Sequence, residues 1–417
     1  MVYDVVIIGG GPGGYAAALY AHNFDLSVAL VEKDSIGGTC LLRGCIPAKA
    51  WLKTAEVFTT ANKAAEFGVN VTEPTIDWQV ALDRKNKVVG GLVKGLGGLL
   101  KARKVDIIDG YGRLAGGGVE VTSADGAVQR LEARNVIVAT GSKPRAIPGY
   151  DFDGTKVVSS RDALDWSERP GRVAIIGAGA IGCEFASLLG DAGSEVHLFE
   201  MLEQVIPGAE PEASKTLTRE LKKKGVKIRT GVGVGPAEVH EDRVVVPFEG
   251  EHVDVDKVLV AVGRAPVTDD IGLESTKVEM ERGFIHVDPA TMMTAEPNIY
   301  AVGDIVAGTP QLAHAGFAEG IAAITHIATG EVAPVDYRAI PLVVYTHPEV
   351  ASVGMTEAAA REAGFEVEVH DHGMRGVGRA IIQGEVGGLV KIVSQVDGPI
   401  LGATVVGPGA GELIHEL

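Results

Sequence analysis

The 417-residue chain carries 38 Lys and Arg against 55 Asp and Glu, a formal net charge of −17. That balance excludes a non-specific nucleic-acid binder, which needs a basic footprint, and it favours solubility and partners with basic surfaces. No apolar run reaches membrane-spanning length, because Val88–Leu100 is broken by Lys94 and by glycines.

The length suits about two to four domains, and 46% hydrophobic with 22% charged residues is the composition of a globular protein. The first ten residues have no basic region and read as a strand, not as a signal peptide. A cytoplasmic location is therefore expected, where a cysteine pair is more often catalytic than structural.

Tyr3–Ile8 is a nearly continuous apolar run, as in a buried parallel strand. Gly9-Gly10-Gly11-Pro12-Gly13-Gly14 follows, then an Ala-rich helix from Tyr15. This is G-x-G-x-x-G between a strand and a helix: Gly9 permits the tight turn, Gly11 lets a pyrophosphate approach, and Gly14 lets helix and strand pack closely. The next strand, Ser27–Val31, ends at Glu32, whose carboxylate can accept hydrogen bonds from ribose hydroxyls.

Gly37–Lys53 reads GGTCLLRGCIPAKAWLK, with Cys40 and Cys45 five residues apart. From Leu41 the residues favour helix, disturbed at Pro47. Two thiols at a helix N-terminus, where partial positive charge stabilises a thiolate, can cycle between dithiol and disulfide. A structural disulfide and two buried core cysteines are the alternatives.

Helix is expected to about Asn62 and again over Trp78–Lys101, where Lys101, Arg103 and Lys104 read as a solvated helix end. Strands are expected near Val105–Ile108, Val119–Thr122 and Gln129–Glu132. Asn135–Ala139 then leads into Thr140-Gly141-Ser142, where Gly141 suits close passage of backbone and ligand. After a linker marked by Pro144, Pro148 and Gly149 the motif recurs. Arg172–Ile176 is a strand, Gly177-Ala178-Gly179-Ala180-Ile181-Gly182 the turn, Glu184–Gly190 helical, and Glu195–Phe199 a strand ending at Glu200. Glu32 and Glu200 each lie 23 residues after the first glycine of their motif, so two dinucleotides are expected. No Arg or Lys follows Glu200 within Met201-Leu202-Glu203, which favours NAD over NADP. Cys183 reads as a small buried residue.

Strands at Val226–Arg229 and Lys257–Ala261 lead to Gly263-Arg264-Ala265-Pro266. Asn298–Val302 stops at Gly303-Asp304, and Asp304 is a second candidate acid for a cofactor polyol. A helix over about Leu312–Ala328 offers its N-terminus to a cofactor atom that gains negative charge on reduction. From Val335 the texture is α+β, with strands at Val350–Val353, Leu389–Gln395 and Ile400–Val406 and a helix at Thr356–Ala363. Gly411–Leu417 is helical in pattern and uncapped, so a chain continuing by a few tens of residues is expected. The expected fold is α/β: two Rossmann-like dinucleotide-binding domains (1–147, resuming at 268–335, and 148–267) and an α+β domain at 336–417.

These motifs together resemble the pyridine nucleotide–disulfide oxidoreductases over essentially the whole chain. The resemblance rests on GGGPGG with Glu32, GGTCLLRGCIPAK, ATG at Ala139–Gly141, GAGAIGCE with Glu200, VGRAP at Val262–Pro266, AVGD at Ala301–Asp304, TPQLAHAGFAEG at Thr309–Gly320 and THPEVASVG at Thr346–Gly354. It implies an FAD site at Gly9, Gly11, Gly14, Glu32, Gly38, Thr39, Gly141, Asp304 and the helix start Leu312, Ala313 and His314. It implies an NAD site at Gly177, Gly179, Gly182, Glu200 and Gly263. Cys45 matches the thiol nearer the flavin, Cys40 the interchange thiol that meets substrate, and Lys49 with Glu184 an ion pair beside flavin and nicotinamide. No metal is implied, and the third domain is expected to make a homodimer.

Within the family the pattern is most similar to the branch that oxidises dihydrolipoamide, carried on the lipoyl domain of a 2-oxo acid dehydrogenase complex. The alternatives are another NAD(P)H-dependent disulfide reductase, an NADH diaphorase, or an assembly flavoprotein without thiol turnover. The family's His–Glu acid–base dyad is not among these residues: His347-Pro348 belongs to a strand segment and His415-Glu416 precedes the dyad's place. A molecule ending at Leu417 is expected to turn over lipoamide poorly, since such a base is worth ~10²- to 10⁴-fold. Val267 stands where the family usually has Asn.

Overall fold

A computed structural model describes residues 2–417. Two compact units divide the chain: the first holds the residues up to Pro47, Asn86–Lys143 and Arg264–Tyr337, the second Ala48–Lys85, Pro144–Gly263 and Arg338–Leu417.

The chain opens with strand β1 (Val2–Ile8), helix α1 (Pro12–Ala21) and strand β2 (Val28–Glu32). Val5–Ile8 are at most 3% exposed, because this central parallel strand is covered on both faces, in one core cluster with Ala17, Ala18, Ala21, Leu114 and Val119. Two helices, α2 (Gly38–Arg43) and α3 (Cys45–Lys63), carry the cysteines, and the long α4 (Trp78–Ala102) follows. Strands β3 (Asp106–Asp109), β4 (Tyr111–Ala115), β5 (Gly118–Thr122) and β6 (Val128–Val138) complete a sheet ordered β3-β2-β1-β6-β5-β4.

The two segments expected at Gln129–Glu132 and Asn135–Ala139 are one strand. Its first half pairs antiparallel with β5 and its second half parallel with β1. The polar Arg134-Asn135 step does not break it, because Arg134 pairs with Asp4 and the Asn135 amide donates to the Asp4 carbonyl at 3.1 Å.

The second nucleotide fold comprises strand β7 (Val157–Ser159), strand β8 (Arg172–Ile176), helix α5 (Ala180–Asp191), strand β9 (Glu195–Glu200), helix α6 (Pro211–Lys223), strand β10 (Lys227–Thr230) and strand β11 (Lys257–Val260). Its sheet is parallel throughout, in the order β10-β9-β8-β11-β7. Helix α6 is an element the sequence reading omits, although Pro211 at its first turn and the buried Ala213, Leu217 and Leu221 at i, i+4 spacing mark it. Within this unit Trp51 stacks on Trp78 with ring centroids 4.3 Å apart. Their indole N–H groups donate to the Leu164 and Trp166 carbonyls at 3.0 and 2.9 Å, which anchors α3 and the start of α4.

The first sheet then gains β12 (Ile299–Ala301), parallel to β6, followed by α7 (Ala313–Thr329). The last region contains β13 (Leu342–Val344), β14 (Glu349–Gly354), α8 (Glu357–Glu362), β15 (Val367–Gly373), β16 (Leu389–Gln395), β17 (Ile400–Gly407) and α9 (Ala410–Leu413). Its sheet is antiparallel, in the order β13-β14-β17-β16-β15. No helix among the described residues is long and apolar enough to cross a membrane.

Candidate active site

The two glycine turns are built alike. Gly9 donates its N–H to Val31 O and Gly177 to Phe199 O, each at 2.8 Å. Both need positive φ, at 110° and 98°, which glycine alone adopts without strain. A Cβ on Gly14 would lie 1.9 Å from Gly9 O, and one on Gly182 would lie 1.8 Å from Gly177 O.

The middle glycines differ. A Cβ on Gly179 would meet nothing within 4 Å, and one on Gly11 only Gly38 Cα at 3.8 Å. The polypeptide itself therefore does not demand glycine there. The space above each helix start fits a group that must approach the backbone, as a pyrophosphate does. Gly38 closes on the first turn, since its own Cβ would sit 2.5 Å from Gly11 Cα. Glu32 accepts from the Gly10 and Asp34 N–H groups at 2.7 and 2.9 Å. Burial pushes its carboxyl up, partly opposed by the N–H groups of Gly10 and Lys33.

The cysteine segment corrects the expected helix. Cys40 lies inside the short α2, Gly44 breaks the chain direction at φ −147° and ψ −108°, and Cys45 opens α3. Pro47 is the third residue of α3, where an N–H would find no intrahelical acceptor, so its missing donor does not disturb the helix. Both sulfurs belong to half-buried residues. Only Cys45 sits at the N-terminus of a long helix, where the dipole favours a thiolate. Burial, reinforced by the charges of Cys40 and Cys45, pushes the Tyr15 phenol up to about 12.

Arg264 ties the loops of this unit together. Its guanidinium donates to Ser142 Oγ at 2.7 Å, Ser142 O at 2.6 Å and Thr39 Oγ1 at 3.3 Å. Its Nε stands 3.8 Å from Asp304 Oδ2, the oxygen that also takes the Ser142 hydroxyl. Burial lowers the Arg264 pKa, and the charges of Asp304 and Cys45 oppose that. Gly141 lies at φ +71° with open space beyond its Cα. Val267 joins this site through its main chain, accepting from Thr140 Oγ1 at 2.6 Å and donating to Gly141 O at 2.9 Å, contacts that any residue except proline permits at 267. Leu312 is the extended N-cap of α7, and Ala313 and His314 are its first residues.

In the second unit Lys49 Nζ donates to both Glu184 oxygens, at 2.8 and 2.9 Å. Glu184 sits on α5, two residues after Gly182, and is 7% exposed. Its Oε1 also accepts the Tyr345 N–H at 3.0 Å. Glu200 ends β9 and accepts from Ala178 N and Leu202 N at 2.7 and 2.9 Å. Gly263 lies at φ +119° with nothing near its missing Cβ. Cys183 is fully buried, its thiol pushed up to about 12 by that burial.

The first unit thus gathers Gly9, Gly11, Gly14, Glu32, Gly38, Thr39, Cys40, Cys45, Gly141, Asp304 and Leu312–His314. The second gathers Lys49, Gly177, Gly179, Gly182, Glu184, Glu200 and Gly263. Sequence reasoning gave no role to Arg264, although it stands in the VGRAP motif, nor to Ser142, Tyr15, Tyr345 or Glu319. Glu319 is 0% exposed and accepts from Gly303 N and Tyr337 OH at 2.5 and 2.9 Å. A lone acid among the small and apolar residues of α7 is the signal that could have found it.

Residues 3–320 match the model of the pyridine nucleotide-disulphide oxidoreductases, and residues 340–417 match that family's dimerisation domain. The chain is 40% identical over 430 residues to dihydrolipoyl dehydrogenase of Bacillus subtilis, covering 99% of this chain and 90% of that one. It is 42% identical over 419 residues to the protein of that name from Chlamydia trachomatis, covering 100% and 89%. Among solved structures it resembles LpdA from Mycobacterium tuberculosis, with a TM-score of 0.93 and 28% identity over 99% of this chain and 92% of that one. It also resembles the HOCl-induced flavoprotein disulfide reductase RclA from Escherichia coli, at 0.87 and 27% over 99% and 92%. With both halves of the fold and both nucleotide turns accounted for, the chain belongs to the pyridine nucleotide-disulphide oxidoreductases.

Proposed function

We propose that this chain is a dihydrolipoyl dehydrogenase with FAD and NAD as cofactors: dihydrolipoamide + NAD⁺ → lipoamide + NADH + H⁺. The observation that carries the reading is the placement of Cys40 and Cys45, on adjoining helices that follow β2 of the first nucleotide fold, with only the second at a long helix N-terminus. That asymmetry gives the two sulfurs different work.

In the oxidised enzyme a substrate thiolate attacks Cys40 of the Cys40–Cys45 disulfide. The Cys45 thiolate leaves, stabilised by the α3 dipole and by the Arg264 charge that reaches it. The second substrate sulfur then displaces Cys40, closing the substrate disulfide and leaving a protein dithiol. FAD, when bound, supplies the two-electron relay between that dithiol and NAD⁺. Arg264 and Ser142 would hold Asp304 beside it, Gly9 and Gly14 shape the turn, and Gly11 leaves room for a pyrophosphate. Lys49, one helical turn after Cys45 on α3, contributes a fixed positive charge, and Glu184 orients it. Glu200, with no cation in the three residues after it, favours NAD over a 2′-phosphorylated cofactor.

The physiological dithiol is read as the lipoyl domain of a 2-oxo acid dehydrogenase complex. The working form is a homodimer through residues 340–417, and the cytoplasm suits a reversible thiol pair. A general disulfide reductase is the second reading, favoured by the likeness to the E. coli flavoprotein disulfide reductase. Initial rates of the holoenzyme with dihydrolipoamide and NAD⁺, compared with NADPH and glutathione disulfide, separate the two. The dehydrogenase reading expects the first pair to dominate, and a preference for NADPH with glutathione disulfide overturns it.

A further inference from the structure

We propose that Tyr345 is a positioning residue for the Lys49–Glu184 pair, fixing the carboxylate through its main chain and covering the ammonium with its ring. This deepens the function proposed above and rests on Lys49 acting at the flavin.

Residues 344–347 run alongside α5 in a register that turns alternate N–H groups toward it. The Tyr345 N–H donates to Glu184 Oε1 at 3.0 Å, and the His347 N–H donates to Ser187 Oγ at 3.0 Å. Glu184 and Ser187 are one helical turn apart, so the segment is clipped to the helix at two successive points. Glu184 cannot rotate away without breaking the part-buried hydrogen bond that it accepts from the Tyr345 N–H.

The ring does separate work. Lys49 Nζ lies 4.5 Å from the Tyr345 ring centroid, within the range where an ammonium is drawn to an aromatic face. The Lys49 side chain is 33% exposed, against 9% for Glu184, so the acid is held by burial while the base is open on one side. The ring covers a further face of the ammonium, and the 33% is what stays open with the ring in place. Gly411 of α9 lies beside the ring, where an added Cβ would sit 3.6 Å from its Cε1. A lysine stem is flexible, and two hydrogen bonds alone leave it other rotamers. With the ring in place the ammonium is confined between a carboxylate and a π face. Burial pushes the Tyr345 phenol up, opposed by Lys49.

Main chain and ring can be tested apart, because any residue except proline keeps the 345 N–H. Acetic anhydride is applied over a pH series to FAD-loaded wild type, Tyr345→Phe and Tyr345→Leu. Acetylation of Lys49 is read by mass spectrometry against Lys53, which is on the same helix and 55% exposed. Wild type and Tyr345→Phe are expected to label Lys49 slowly and alike. Tyr345→Leu is expected to label it roughly three- to tenfold faster, the scale of a lost cation–π contact. Tyr345→Met, unbranched and without a ring, makes the same comparison should leucine impair folding. Equal labelling in wild type and the ringless variants overturns the proposal, as does a Tyr345→Phe rate matching Tyr345→Leu. The labelling needs no turnover, so a wild-type enzyme inactive with dihydrolipoamide would sink the proposed function and leave this contrast readable.

Discussion

Glu32 and Glu200, in sheets formed 168 residues apart in the chain, accept the same two main-chain N–H groups at nearly the same distances. Each takes the residue after its first motif glycine at 2.7 Å and the residue two positions beyond itself at 2.9 Å. A duplicated loop thus keeps its internal bonding as well as its glycines, and each acid braces the turn it borders.

That duplication makes the glycines separable by experiment. Gly182→Ala drives a methyl to 1.8 Å from Gly177 O and is expected to lower the melting temperature sharply or abolish folding. Gly179→Ala meets nothing within 4 Å. It should melt like wild type while binding NADH roughly tenfold or more weakly, about one contact of 1.4 kcal/mol. Thermal melts paired with NADH titration read both, and a Gly179→Ala protein that binds NADH normally would show that no phosphate approaches there.

Glu319 predicts a pH dependence of stability. Burial pushes its carboxyl from 4.5 up to about 7, opposed by the Gly303 N–H and the Tyr337 hydroxyl. The folded value lies above the unfolded one. Its contribution is therefore full below about pH 4.5 and is lost as pH rises through about 7. Glu319→Gln does not titrate and can still accept the Gly303 N–H. Between those pH values wild type should lose stability relative to Glu319→Gln, by on the order of 3 kcal/mol at most. Urea unfolding across that range checks it, and parallel curves for the two proteins would contradict it.

Lys391 is 2% exposed and its ammonium meets Glu210, Glu212 and Glu357 at 2.9, 3.1 and 3.0 Å. Glu210 is equally buried, at 3%, whereas the other two reach solvent. Lys391→Met strands the Glu210 charge and should cost about 3–5 kcal/mol. Lys391→Met with Glu210→Gln removes that charge and should recover much of the loss. Denaturant titration of both decides the point, with equal destabilisation as the opposing result.

Much of this was legible in the sequence because its signals are local. The glycine motifs, the apolar strands before them and the acids that end β2 and β9 need only neighbours within about 25 residues. Cys183 was readable as core for the same reason. What escaped depended on contacts between distant segments. Arg264 reaches Ser142 and Thr39, 122 and 225 residues away, and nothing in VGRAP alone says so. Tyr345 gains its place from a strand edge meeting α5, and β6 runs through a polar step because Asp4 is opposite it. Helix α6 escapes a sequence reading although its spacing is visible, since only three of its five buried positions are apolar and its other face is rich in Glu and Lys.

The proposed activity requires electrons to pass between NADH and the Cys40–Cys45 pair. The most direct measurement is anaerobic alkylation of the holoenzyme before and after NADH, with each cysteine read by mass spectrometry. Cys40 and Cys45 should be protected before reduction and both labelled after it. Cys183, fully buried, should stay unlabelled in both samples and serve as the internal reference. Identical labelling of Cys40 and Cys45 with and without NADH would contradict the account.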